Sequence, residues 1–152
     1  MVISKVLLGF CAGFGVCSGA ANAQEFLAEP QDASGKFITA TEIKMILPHT
    51  KAQWIAVRPY EGQDLLYFTN LLAWRCGLHQ IRYSVNGAEM KVLEMEPCYV
   101  DEGAPNALKV DGAILPFLSF PLNTIVTIKL ELLYDDLSQE TAEYDRGAVQ
   151  AN

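Results

Sequence analysis

The amino-acid sequence predicts an α+β fold: a short N-terminal helix packed on a mostly antiparallel β-sheet of about five to six strands, closed by one disulfide. Three observations predict it. Asn86-Gly87 stands between two runs of alternating apolar and polar residues, the strongest short-range signal of a hairpin. Val126, Ile128, Leu130, Leu132 and Tyr134 alternate with Thr127, Lys129 and Glu131, the pattern of an antiparallel strand wet on one face. Thr39 and Glu42 carry the spacing of a helix-initiating capping box.

The first 23 residues precede any of these elements and read as a cleavable secretory signal. Lys5 supplies the positive start, residues 6–16 the apolar run, and Ala21-Asn22-Ala23 an A-x-A exit before Gln24. The apolar run is too short for a membrane span, which takes about 20 residues. Phe10 and Val16 stand where a lipid-attachment cysteine would want a small neighbour, so Cys11 and Cys17 do not read as anchors. The expectation is a periplasmic or extracellular protein that begins near Gln24 and has no integral membrane segment in its mature chain.

All 18 acidic residues and 10 of the 11 Lys and Arg follow residue 23, so that part carries 10 minus 18, or −8. Such a balance disfavours nucleic acid and anionic lipid, both of which need cations against phosphate, and permits a cationic protein partner. With 129 residues left of 152, one domain with one core is expected. Residues 24–36 read as a flexible lead-in, 37–136 as the globular domain and 137–152 as an acidic disordered tail.

Cys76 and Cys98 are an even pair in an oxidising compartment and are expected to form a disulfide. Closing so short a loop is worth roughly 3 kcal/mol in the chain-entropy account. There is no C-x-x-C, and neither His49 nor His79 has a Cys or His at metal-ligand spacing, so no metal and no cofactor is expected.

In order along the chain, Thr39 should cap a helix of about two turns with Ile38 and Ile43 as its staple. Ile43, Ile46 and Leu47 form its apolar stripe, and Pro48 should end it for want of an N–H. Residues 54–57 suggest a short strand, residues 60–64 a turn, and the apolar run 65–74 a central strand covered on both faces. Around Asn86-Gly87 a two-residue type I′ loop sets Val85 against Ala88, Tyr83 against Met90, Ile81 against Val92 and His79 against Glu94. Carried on, this register puts Cys76 opposite Pro97, one residue short of Cys98. Residues 101–112 read as a long loop, and Pro116 and Pro121 restrict 113–122 to an edge strand or an extended covering segment.

His79 is the most suggestive residue for chemistry, because Glu94 across the register would orient or charge it. A sheet-end histidine satisfied by a cross-strand acid is the simpler reading, and no G-x-S-x-G elbow supplies a nucleophile. The acid pairs Glu61/Asp64, Asp101/Glu102 and Asp135/Asp136 lack calcium-loop spacing and fit solvated turns. Trp54, Tyr60, Trp74, Arg58 and Arg75 form a second set: such side chains fill cores, the simpler reading, and also anchor recognition surfaces, for which Arg58, Tyr60, Trp74 and Arg75 are the candidates. Together these features predict a non-catalytic binding or accessory protein that acts by protein–protein contact in the cell envelope. The alternative is a small hydrolase or ligand carrier with a cleft near His79 and Glu94.

Overall fold

A computed structural model describes residues 24–111 and 113–151. The predicted signal segment, with Cys11 and Cys17, lies outside the described residues. In chain order the regular elements are α1 (Ala40–Ile43), β1 (Ala56–Tyr60), β2 (Gln63–Tyr67), α2 (Thr69–Leu72), β3 (Leu78–Val85), β4 (Lys91–Val92), β5 (Phe117–Pro121), β6 (Thr127–Tyr134), β7 (Gln139–Asp145) and α3 (Arg146–Val149). Short 3-10 segments at Leu47–Gln53 and Arg75–Gly77 join them. The strands form two antiparallel sheets, one of three in the order β1-β2-β5 and one of four in the order β4-β3-β6-β7. The fold is therefore α+β, with seven strands among the described residues rather than five or six.

Both sheets bury one face in a common core. Ile128, Leu130, Leu132 and Tyr134 alternate inward from β6 as the sequence predicts, while Val126, ahead of the strand, is exposed. Leu66 from the other sheet and Phe68, just beyond β2, reach the core, and Ile43, Leu47 and Trp54 close it from the helical side. The buried Trp54 indole satisfies its N–H on the Leu47 carbonyl at 2.9 Å, as a buried donor must.

Several local expectations yield to tertiary contacts. Thr39 does sit extended at the start of α1, but makes no side-chain cap, and the helix lasts one turn. Glu42 turns instead to the preceding loop, accepting from the amides of Ser34 and Ile38 at 2.9 Å each. Pro48 does not end a helix; it sits in the first turn of the 3-10 segment, where a missing N–H costs nothing. The apolar run 65–74 splits: its first residues complete β2, central in its sheet, and Leu71 and Leu72 enter the core from the one-turn α2. Segment 113–122 resolves into β5, an edge strand paired with β2. The turn at 60–64 tightens to Glu61-Gly62, leaving Tyr60 paired with Gln63.

The hairpin is correct at its turn and slipped beyond it. Asn86 and Gly87 have φ of 55° and 71°, the two positive values of a type I′ turn, and the Ala88 amide bonds the Val85 carbonyl at 3.1 Å. Tyr83 then pairs with Lys91, so Glu89 and Met90 oppose Ser84 alone, a β-bulge. The Ser84 hydroxyl reaches across it to the Ala88 carbonyl. One residue of slip exchanges the two faces: Val92 is exposed, and Leu93 is buried opposite Ile81. Continued, the shifted register brings Cys98 rather than Pro97 opposite Cys76, and the Cys76–Cys98 disulfide forms across a Cα separation of 4.9 Å. Gly87→Val is expected to destabilise by about 1 kcal/mol more than Gly87→Asn, because a β-branched residue tolerates positive φ poorly. Urea titration of the two variants checks this, and equal midpoints would refute it.

The largest departure is at the C-terminus. Residues 139–145, expected in a disordered tail, form β7, paired with β6 from Thr127↔Asp145 to Leu133↔Gln139. Ala142 and Tyr144 face the core, and the Tyr144 hydroxyl donates to the Lys51 carbonyl at 2.7 Å. Two apolar residues in seven are too few to announce a strand, and pairing with β6 supplies the rest.

Candidate functional site

The lead-in, residues 24–36, has little regular structure but lies against the body rather than free. The Glu29 amide donates to the Asp135 carbonyl at 2.8 Å, and Gln31 donates through its side chain to Asp135 Oδ1, also at 2.8 Å. Asp135 is buried and its Oδ1 also accepts from the Ala40 amide, so one carboxylate oxygen caps α1 and ties down the lead-in. Glu42 holds the other end of the segment. Burial opposes its ionisation, but the amides of Ile38, Gly35 and Ser34 outweigh that and keep its pKa below the usual value.

Between this strap and the second sheet runs a cleft of about 790 Å³, lined among others by Phe26, Cys76, Leu78, His79, Met95 and Cys98. His79 is positioned by a second bulge. Leu78 pairs with Tyr134 and Gln80 with Leu133, leaving His79 without a partner in β6 and free to turn toward the lead-in. Its Nε2–H donates to the Leu27 carbonyl at 2.8 Å, since a carbonyl can only accept. Its Nδ1 lies 3.7 Å from Glu29 Oε1, and the ring stacks on Phe26 with centroids 5.0 Å apart.

The predicted pairing of His79 with Glu94 does not occur. The bulge at Glu89-Met90 moves Glu94 out of register, and it is exposed and does not line the cleft. Arg75, two per cent exposed, does line it but presents no charge to a ligand. Its guanidinium donates to the carbonyls of Glu96 at 2.9 Å, Pro97 at 2.8 Å and Asn106 at 2.7 Å, holding the long loop to the body. Burial lowers its pKa, and the Glu96 carboxylate and Tyr99 work against that. Trp74 lies apart, half-buried and edge-on to Phe37 with centroids 5.3 Å apart. Arg58 and Tyr60 are exposed on β1, the guanidinium 5.9 Å from the ring centre. The six candidate residues thus fall in separate places, with Arg75 and His79 alone sharing the cleft.

Several polar side chains of the cleft are committed to its walls. Glu96 accepts from the Tyr99 hydroxyl at 3.0 Å and the amides of Lys109 and Val110 at 2.9 and 3.0 Å. Burial opposes that carboxylate, and these donors hold its pKa below the ordinary range. Thr39 and Ser34 contact Glu42. Chemically, what remains to offer is apolar surface, the disulfide, the Glu29 carboxylate beside the His79 ring, and the side chains of Gln24, Asp32 and Gln80. Among the described residues no three His, Cys, Asp or Glu side chains are grouped to hold a metal, and no helix is long and apolar enough to cross a membrane. His79→Gln keeps one hydrogen bond to Leu27 but loses the stacking on Phe26. It is expected to leave the melting temperature within about 2 °C while raising amide exchange across residues 25–31, by hydrogen exchange with mass detection. Unchanged exchange there would show that His79 does not hold the strap.

The groups that organise this region were not visible as candidates in the sequence. In the sequence Glu42 reads as part of a helix cap and Asp135 as a solvated turn residue. Each has one neighbour that ends up in the core, Ile43 and Tyr134, a signal that becomes diagnostic only when the burial is known. Comparison with protein-family models, with curated proteins and with solved structures finds no match to this chain.

Proposed function

We propose that this protein is a small exported acidic module that acts by binding another protein of the cell envelope, without catalysis of its own. The observation that carries the reading is how its charge is disposed. Of the ten Lys and Arg among the described residues, six lie in ion pairs with acids and Arg75 is surrounded by carbonyls, which leaves Lys36, Arg58 and Lys91. Glu61, Glu89, Glu94, Glu143 and Asp145 are exposed and have no ion pair among the described residues. A surface so biased steers a basic partner toward it and repels phosphate polymers. In the cleft Arg75, Glu96 and the His79 Nε2–H are engaged by the protein's own groups, which supports binding over proton transfer.

The test is capture from an envelope extract at low and high salt, followed by reconstitution with the purified partner. A stoichiometric complex that weakens with salt is expected. Turnover of a small substrate by the isolated protein, lost in His79→Gln, would overturn the reading. A ligand-carrier role has one observation in its favour, the open cleft of about 790 Å³ beside His79.

A further inference from the structure

Among the described residues four strands lie at sheet edges, and they are not equivalent. β1 contains Pro59, and the chain end runs beside it, the Ala151 amide bonding the Val57 carbonyl at 2.9 Å. β5 ends on Pro121 and follows Pro116, and β4 has two residues. Prolines, short strands and covering segments are the ordinary means of blunting an edge. β7 has none of them: it runs seven residues without proline, and among the described residues nothing pairs with its outer side.

Its free groups can be named. The Tyr134 amide bonds the Ser138 carbonyl and the Arg146 amide bonds the Val126 carbonyl, each at 2.9 Å, bracketing the β6–β7 ladder at positions of one parity. Alternation along an antiparallel ladder then turns the main-chain groups of residues 140, 142 and 144 toward β6. Those of Thr141 and Glu143 point outward and unpaired. Beside them lies a hollow of about 380 Å³, lined by Thr141 and Glu143 with Lys51, Ala52 and Ala148. Lys51 is already bonded to Glu140, and the alanines leave room for an added side chain.

We propose that the outer edge of β7 is a docking site for an extended basic segment of a partner protein, which joins the four-stranded sheet as a further strand; this rests on the binding reading above. The main-chain groups of Thr141 and Glu143 supply the pairing. Glu143 and Asp145 supply the charge preference, since Lys129, the cross-strand neighbour of Glu143, is engaged by Glu131 at 3.3 Å. The incoming strand alternates, with cations on the side of Glu143 and Asp145 and aliphatic residues over Ala142 and Ala52. A second copy of this chain is a poorer occupant, because both molecules carry the same excess of acid.

The experiment uses a ten-residue peptide alternating lysine and valine, and its counterpart with glutamate for lysine, against the purified protein expressed from its full-length sequence. The lysine peptide is expected to slow amide exchange at Thr141 and Glu143 and to bind more weakly as salt rises; the glutamate peptide is expected to do neither. Thr141→Pro removes an outward amide that β6 does not use, and should weaken the lysine peptide about ten-fold or more with far-ultraviolet circular dichroism unchanged. Should that variant misfold, Glu143→Lys with Asp145→Lys leaves the backbone intact and should reverse the preference between the peptides. Equal binding of both peptides, unchanged exchange at Thr141 and Glu143, or protection of those amides by self-association without peptide overturns the proposal. If the envelope complex forms and survives Thr141→Pro, the edge assignment falls alone; if no complex forms at all, the binding reading falls with it.

Discussion

Arg146→Met is expected to destabilise the protein by about 3–5 kcal/mol, the usual cost of leaving a buried charge without its partner. Asp64 is fully buried on β2, and Arg146, at the start of α3, meets both of its oxygens, with Nη2 to Oδ1 at 2.7 Å. The pair bridges the two sheets, because β2 belongs to one and α3 continues directly from β7 in the other. Replacing both residues at once, Asp64→Leu with Arg146→Met, should cost much less, since no buried charge is then stranded. Urea titration of the single and double variants gives the comparison, and a single variant no worse than the double would refute the account.

The same pair sets an acid limit. The Arg146 hydrogen bonds hold the Asp64 carboxyl below its ordinary value of 3.8 against the opposing effect of burial. A depressed carboxylate contributes its full stabilisation above the unfolded-state value and loses it as pH falls through the folded one. Asp136 acts in the same direction: burial opposes its charge, but Lys44 and Ser138 outweigh it and bring its pKa to about 2. Stability should therefore fall steeply below about pH 4, and the gap between the native protein and Arg146→Met should narrow there as Asp64 takes up its proton. A gap constant from pH 7 to pH 3 would exclude Asp64 as its source.

Replacing Cys76 and Cys98 together by Ser is expected to cost about 2–5 kcal/mol, centred near the roughly 3 kcal/mol of the loop-entropy account. The bond pins the segment after β4, which continues as one wall of the cleft and carries the carbonyls that Arg75 grips. The loss should be local as well as global, with amide exchange rising over residues 93–110 more than in β6. Uniform exchange changes would mean that the disulfide acts through the unfolded chain alone.

Much of the architecture was legible because it is local. Asn86-Gly87 requires positive φ at both positions whatever surrounds it, and it forms the predicted type I′ turn. The 128–134 alternation has only one way to bury its apolar face, and β6 takes it, with Val126 left outside. The site was less legible. Pairing His79 with Glu94 extended a register over six residues from the turn, and one extra residue at Glu89-Met90 was enough to cancel it. Nothing in Gly-Ala-Glu-Met marks a bulge, because its stabilisation comes from elsewhere: Ser84 reaching Ala88, and Leu93 reaching the core.

By itself the sequence determined the fold class, the half-buried strand at the centre of the second sheet, the hairpin turn and the Cys76–Cys98 bond. The strand and the turn follow from a period or a residue type acting within a few positions, and the bond, across 22 residues, from an even cysteine pair at the open end of that hairpin. Tertiary structure alone decided that Glu42 and Asp135 anchor the lead-in, that Asp64 meets Arg146 across 82 residues, and that an acidic C-terminal stretch becomes a strand with an open edge. Charges and main-chain groups have no period to read. Their roles depend on which of them the packed core removes from water, and that is settled only when distant segments meet.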